Sequence, residues 1–289
     1  MNREYEDLAA ASSGARRWTR HWRRLAAMRQ RNSIACLTRG YTDLSGYDAL
    51  IERNRSIYQV INRHRSRQYP LIVWHEGNIS AEHQRHIAAQ ELNKDLRFVD
   101  VSEAFRLPEA IPEQELVEDW PMGYRLMCRF HSYFIWQYAA RFDYVMRLDE
   151  DCVLTSAAFD PIESLSVAGG DFATVLFVNE GHELTNRTLA PFVRKLAADM
   201  HPEIRRASLY NHVFPYTNFY VTRTAFWRQP AVQRFLSAVI GHSDFVRCRW
   251  GDAPVMGIAL NMFARPGKVY RMPQIGYRHA SHNMTIGPG

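Results

Sequence analysis

Past residue 31 the chain alternates short apolar runs with longer stretches of helical spacing. IACLT (34–38), LIVWH (71–75), DYVMRL (143–148), FATVLFV (172–178) and TNFYVT (217–222) have the length and β-forming composition of strands. Between them, residues 47–65 and 123–140 carry an amphipathic helical pattern, the second with Leu126, Met127, Phe130, Phe134, Ile135 and Tyr138 along one face as core. Strands alternating with helices predict a layered α/β fold. Two polar or proline-bearing connections, 107–122 and 179–190, exceed tight turns and read as loops that shape a site. No linker interrupts 31–289, so a single domain is expected there, preceded by an arm over 1–30.

The arm changes the picture through its charge. From Arg16 to Arg31 seven arginines interleave with Trp18, Trp22, Leu25 and Met28, and this segment supplies much of the excess of 36 Lys+Arg over 30 Asp+Glu. The pattern is that of a basic amphipathic helix, which either lies on an anionic membrane surface or packs its apolar edge on the domain. Nucleic acid is disfavoured, because no finger, helix-turn-helix or aromatic RNA-binding signature accompanies the charge. No apolar run reaches the roughly 18 residues that a membrane span needs, and the N-terminus lacks the apolar core of a signal peptide. The expectation is a cytoplasmic chain, peripheral at a membrane face if the arm binds lipid. Four cysteines, at 36, 128, 152 and 248, show no C-x-x-C pairing and read as buried thiols in a reducing compartment.

The candidate chemistry begins at MRLDEDCVL (146–154), where Asp149, Glu150 and Asp151 follow an apolar strand. Ligands of an open α/β sheet gather outside the carboxyl ends of its strands. In an extended segment residues 149 and 151 point the same way, so the pair suits one Mg²⁺ or Mn²⁺ ion that also takes diphosphate oxygens. A solvated polar loop is the plainer alternative.

Five longer strings in order carry a resemblance: GYRLMCRF (123–130), RLDED (147–151), YNHVFPYTNF (210–219), RWGDAPV (249–255) and IGYRH (275–279). With looser matches at NSIACLTRG (32–40) and QYPLIVWHEG (68–77), the chain resembles glycosyltransferase family 15, the Kre2/Mnt1-type fungal α-1,2-mannosyltransferases, over residues 31–280. The resemblance implies a GT-A fold, a mainly parallel mixed sheet flanked by helices. It also implies a GDP-mannose donor, Mn²⁺ or Mg²⁺, and transfer of mannose to a glycan or glycolipid hydroxyl with retention. The same fold using GDP-fucose or a UDP-sugar, and a non-catalytic glycan- or nucleotide-binding descendant, are the alternatives.

Residue roles follow from the same match. Asp149-Glu150-Asp151 stands where the family has E-P-D, which makes Asp149 a metal and donor ligand, with Asp151 beside it and Glu150 the least important of the three. His279, closing IGYRH, matches the family's second protein ligand; otherwise it is a hydrogen-bonded surface histidine. Asp252 could N-cap the helix that follows, and the match gives it a catalytic site role, orienting the acceptor or the metal shell; the two are compatible. Arg125 and Arg129, four apart on one helix, would meet the diphosphate or clamp the acidic loop, unless they are solvated. Arg39, just past the first strand, is assigned to the donor. The sharpest departure is Tyr220, where the family carries a carboxylate considered as nucleophile. Tyr220 then only shapes the pocket of a front-side transfer, or Glu180 supplies the carboxylate.

Overall fold

The structure is a computed structural model that describes residues 6–7, 31–107, 111–179, 181–200 and 213–288. The amphipathic arm, apart from residues 6–7, and Glu180 lie outside the described residues. Along the chain the strands are β1 (Glu6–Asp7), β2 (Asn32–Thr38), β3 (Leu71–His75), β4 (Leu96–Asp100), β5 (Tyr144–Leu148), β6 (Cys152–Ala157) and β7 (Phe172–Thr174). They continue with β8 (Phe177–Asn179), β9 (Val213–Pro215), β10 (Phe219–Arg223), β11 (Val269–Arg271), β12 (Ile275–His279) and β13 (Met284–Ile286).

Eight strands form the main sheet in the order β1-β11-β7-β10-β5-β2-β3-β4. β10 runs antiparallel to both of its neighbours and the remaining pairs are parallel, so the sheet is mixed and mainly parallel, as expected. The two-residue period of the strands divides the core. Ala35 and Val145 join one apolar cluster, while Ile34, Tyr144 and Met146 join another on the opposite face. Helices Met122–Arg129, Glu183–Asp199, Pro230–Gly241 and Asp252–Phe263 cover the first face, where Trp136 and Trp227 stack at 4.5 Å. Helices Asp48–Val60 and Pro161–Ala168 cover the second, together with a small sheet ordered β13-β12-β6.

Three expectations change. FATVLFV is not one strand: β7 lies in the main sheet and β8 pairs with β9 in a separate two-stranded sheet. The connection at 179–190 is helical from Glu183 onward, with Pro191 inside the helix. The face of the segment 123–140 is also rotated from its apolar stripe. Leu126, Met127, Phe134 and Tyr138 are half-exposed, whereas Arg125, Cys128, Arg129, Ser132 and Trp136 are buried. A π-helical stretch at Phe130–Phe134 adds to the departure from regular spacing.

All four cysteines are buried and unpaired, as the sequence reading has them. Burial pushes the Cys36 thiol up to about 11 and that of Cys128 to about 12. They are packing residues, not nucleophiles.

Candidate active site

The main sheet brings four segments to the carboxyl end of β5. β2 ends beside it at Thr38, β10 begins antiparallel to it with Phe219 opposite Leu148, and β12 returns through β6 with His279 opposite Cys152. The helix Asp252–Phe263 starts over the Arg147 side of β5. It is buried nearly all round, so its position is set by packing.

At this end the acidic triplet does not continue the strand. The amide of Cys152 donates to the Asp149 carbonyl at 3.1 Å, closing a turn from β5 into β6. The expected D-x-D geometry needs an extended backbone, and the turn replaces it, so the two aspartates diverge.

Asp149 faces Arg147, which donates to it at 2.6 Å (Nε) and 3.2 Å (Nη2) and to Asp252 at 2.8 Å. Arg147 is only 3% exposed. Burial opposes its charge, but the carboxylates of Asp149 and Asp252 outweigh burial and hold it firmly protonated. Asp252 therefore is not an N-cap; Gly251 holds that position and the Asp252 carboxylate is spent on Arg147.

Asp151 points the other way. Its Oδ2 lies 3.4 Å from His279 Nε2 and accepts from the Ser281 amide at 3.2 Å. Burial raises this carboxyl, but the hydrogen bonds of His279 and Ser281 prevail and keep it well below the usual range. The other ring nitrogen of His279, Nδ1, sits 2.9 Å from Asn218 Nδ2 and 3.1 Å from the Tyr216 hydroxyl, which fixes the ring plane. Asn218 also accepts the Asp149 amide on its carbonyl at 3.0 Å, so one residue steadies both arms of the turn.

Asp151, Cys152 and His279 form a group whose ligand atoms lie within 4.8 Å of one another. The carboxylate and imidazole fit Mn²⁺ or Mg²⁺ acceptably. Cys152 fits poorly, since burial pushes its thiol far above neutral pH and hard cations prefer oxygen. The structure thus places Asp151, rather than Asp149, beside His279, while Asp149 meets Arg147.

Glu150, expected to matter least, ties the turn to the first strand. It accepts from Thr38 Oγ1 and, at 2.7 Å, from the Tyr41 hydroxyl. Burial pushes that phenol up to about 12, helped by the Glu150 carboxylate. Arg39 stands between these two partners in sequence with an exposed side chain, and its guanidinium lies 5.2 Å from the Tyr41 ring.

Arg125 and Arg129 are not at this site. Arg125 is fully buried and donates to the carbonyls of Trp120, Val246, Arg247, Val117 and Glu118. Arg129 donates to those of Ala104 and Arg106 and packs on Phe134. The donors of Arg125 are spent on the backbone and Arg129 is buried against Ala104, Arg106 and Phe134, so neither is placed at the turn.

Tyr220 lies opposite Arg147 in the β10–β5 ladder and is fully buried. Its ring leans on Phe172, the Arg147 guanidinium is 5.8 Å from its centroid, and its hydroxyl has no hydrogen-bond partner among the described residues. Burial pushes the phenol far above its ordinary value, against the pull of Arg147. Arg147 is not among the residues singled out from the sequence, although it stands two residues before Asp149, at the spacing that shares a side of an extended chain.

A family model described as glycolipid 2-alpha-mannosyltransferase matches residues 23–285. The chain is similar to the O-glycoside alpha-1,2-mannosyltransferase omh1 of Schizosaccharomyces pombe, 24% identical, with 73% of this chain and 60% of that protein covered. It is also similar to glycolipid 2-alpha-mannosyltransferase 1 of Candida albicans, 26% identical, with 63% of this chain and 45% of that protein covered. The chain therefore spans only about half of these relatives' length. Among solved structures it resembles core-mannan synthase A of Aspergillus fumigatus in its Mn/GDP form, with a TM-score of 0.76, 18% identity, and coverage of 97% of this chain and 81% of that one. At that identity the likeness shows the fold, which is GT-A-like.

Proposed function

The chain belongs to the glycolipid 2-alpha-mannosyltransferase family, and on that premise we propose that it transfers mannose from GDP-mannose to a hydroxyl of a glycan or glycolipid, with retention. Residues 31–289 act as the catalytic domain and the basic arm as a contact for an anionic membrane face. Four buried thiols suit a reducing compartment, which supports a cytoplasmic placement.

The observation that carries the proposal is the Asp151–His279 pair at the end of β5, in the crevice where α/β folds hold ligands. These two residues would hold Mn²⁺ or Mg²⁺. When bound, the ion offsets the charge that develops on the departing diphosphate. Asn218 and Tyr216 orient His279 for this task, Glu150 holds the turn against β2, and exposed Arg39, next to Thr38 in the chain, would meet the donor phosphates or base.

Tyr220 supplies no nucleophile on this reading, because its phenol is buried and held protonated. Transfer then takes place on one face of the sugar. The bond from the anomeric carbon to the diphosphate oxygen breaks, the acceptor oxygen bonds to that carbon, and the acceptor proton passes to the departing phosphate. Arg147, fixed between Asp149 and Asp252, ties both carboxylates in place beside the reaction.

Mannose transfer to α-mannosides from GDP-mannose, compared with GDP-fucose and UDP-sugars and with metal present or chelated, tests this reading. Transfer from GDP-mannose alone, lost on chelation, is expected. Preference for another donor would replace mannose in the proposal, and transfer that survives chelation would overturn the metal assignment.

A further inference from the structure

The end of the main sheet opposite the acidic turn is basic. β2, β3, β4 and β5 run parallel and start there, and antiparallel β10 ends there. Each segment that enters or leaves at this floor carries an exposed cation: Arg31 before β2, Arg63 and Arg67 before β3, Lys94 before β4, Arg141 before β5 and Arg228 after β10. None of these six pairs with a carboxylate among the described residues. The aspartates at this end are spent elsewhere: Asp95 on Arg97, Asp160 on Arg65 and Asp171 on Arg223, while Asp143 accepts the Arg31 amide at 2.8 Å.

Three of the six cations gather at one cleft. Arg228 donates to the Ala140 carbonyl at 3.4 Å, Arg141 follows Ala140 and lies 5.1 Å from the Phe142 ring centroid, and Arg31 joins Asp143 through its backbone. The cleft holds about 320 Å³, with Ile72, Trp74 and Val99 of the sheet on one side and Tyr138 and Phe142 on the other, beside Gln137 and Arg141. Such a volume takes part of one hydrocarbon chain, and guanidinium groups at its mouth suit a phosphate. Nucleic acid fits less well, because Trp74 and Phe142 are buried and present no open ring face for a base.

The arm enters this floor at Arg31 and brings six further arginines between Arg16 and Arg29. Like charges on arm and floor repel unless an anion lies between them. The arm's own apolar edge is therefore a poor occupant of the cleft, and an extended anionic surface, which neutralises arm and floor together, is a good one.

We propose that the floor of the sheet docks on an anionic bilayer, with lipid phosphates on Arg31, Arg141 and Arg228 and one acyl chain in the cleft. This deepens the membrane contact proposed for the arm, on different residues. Docked in this way, the acidic turn stands above the lipid by the length of five-residue β5, about 17 Å, and faces the aqueous side.

Flotation of the full chain with vesicles of phosphatidylcholine, alone or mixed with phosphatidylserine, tests this. The variants are Arg141→Glu with Arg228→Glu, Arg141→Lys with Arg228→Lys, and an arm variant carrying Arg16→Gln, Arg17→Gln and Arg20→Gln. Wild type should float with the mixed vesicles only. The Glu pair should bind at least about tenfold more weakly and the Lys pair nearly as wild type, since each cation at such a surface contributes about fivefold. Wild type should also bind soluble dihexanoyl phosphatidylserine at least about tenfold more tightly than glycerophosphoserine, which has the head group without the chains; this comparison stands whether or not the Glu pair folds. The proposal is overturned if a folded Glu pair binds vesicles as wild type does, if the two soluble probes bind equally, or if wild type binds an RNA oligonucleotide and no vesicle. Loss in the arm variant with the Glu pair unaffected would keep the arm as the membrane contact and discard the floor. Loss in the Glu pair with the arm variant unaffected would support the floor and discard the arm.

Discussion

The Oδ2 of Asp151 stands 3.4 Å from the Nε2 of His279, across the first rung of the β6–β12 ladder. The turn closed from Asp149 to Cys152 directs that carboxylate away from Asp149, which is held by Arg147 instead. Neighbouring aspartates therefore serve different partners. Asp151→Asn should abolish stabilisation of the protein by GDP with Mn²⁺, whereas Asp149→Asn should only weaken it, as read by thermal melting of each variant. The reverse order would mean that Asp149 leaves Arg147 for the ion.

Arg147 bridges two carboxylates in a buried setting, and removing one partner of such a group strands the others. Arg147→Met is expected to destabilise the fold by about 3–5 kcal/mol in urea titrations, and adding Asp252→Asn should recover part of that loss. A loss below about 1 kcal/mol would show that water or another cation readily replaces the guanidinium.

Tyr220 invites a test of opposite sign. Its hydroxyl is buried without a hydrogen-bond partner among the described residues, so Tyr220→Phe should leave stability unchanged or slightly raised. Turnover should fall by less than about tenfold, since on this account the hydroxyl takes no part in proton transfer worth more than that. A collapse of turnover with normal donor binding would put the phenol in the chemistry.

His131 supplies a pH dependence remote from the metal pair. Burial, with the nearby Arg147 charge, drops its pKa well below 6.5, so it stays neutral in the fold. In the unfolded chain it takes up a proton as pH falls through about 6.5, so the unfolded state binds more protons and stability declines with acidification. The midpoint of urea unfolding should fall from pH 7.5 to pH 5.5, and His131→Leu should flatten that slope. An unchanged slope in the variant would assign the dependence to other groups.

Much of the fold was legible because β2, β3, β5 and β10 are continuous apolar runs, and few structures other than buried strands produce them. The helix at Glu183–Asp199 was hidden by its polar first turn and by Pro191, which reads as a breaker out of context. The site was legible at the level of segments: MRLDEDC and IGYRH do meet. Which atoms meet was not, because the turn that swings Asp151 away from Asp149 depends on a backbone bond from Cys152 that no side-chain pattern announces. Arg125 and Arg129 were misread for a related reason. Charge suggests a solvated face, but a guanidinium can be buried wherever enough carbonyls converge on it, and here those carbonyls come from loops far away in sequence.

The account stands most directly on one measurement: the melting temperature of the wild-type chain with GDP alone, Mn²⁺ alone and both together, beside His279→Ala. It predicts a rise with both ligands that exceeds the sum of the separate rises and is missing in His279→Ala, whose unliganded melting stays close to wild type. A wild-type chain that GDP stabilises equally with and without Mn²⁺, or not at all, would contradict it.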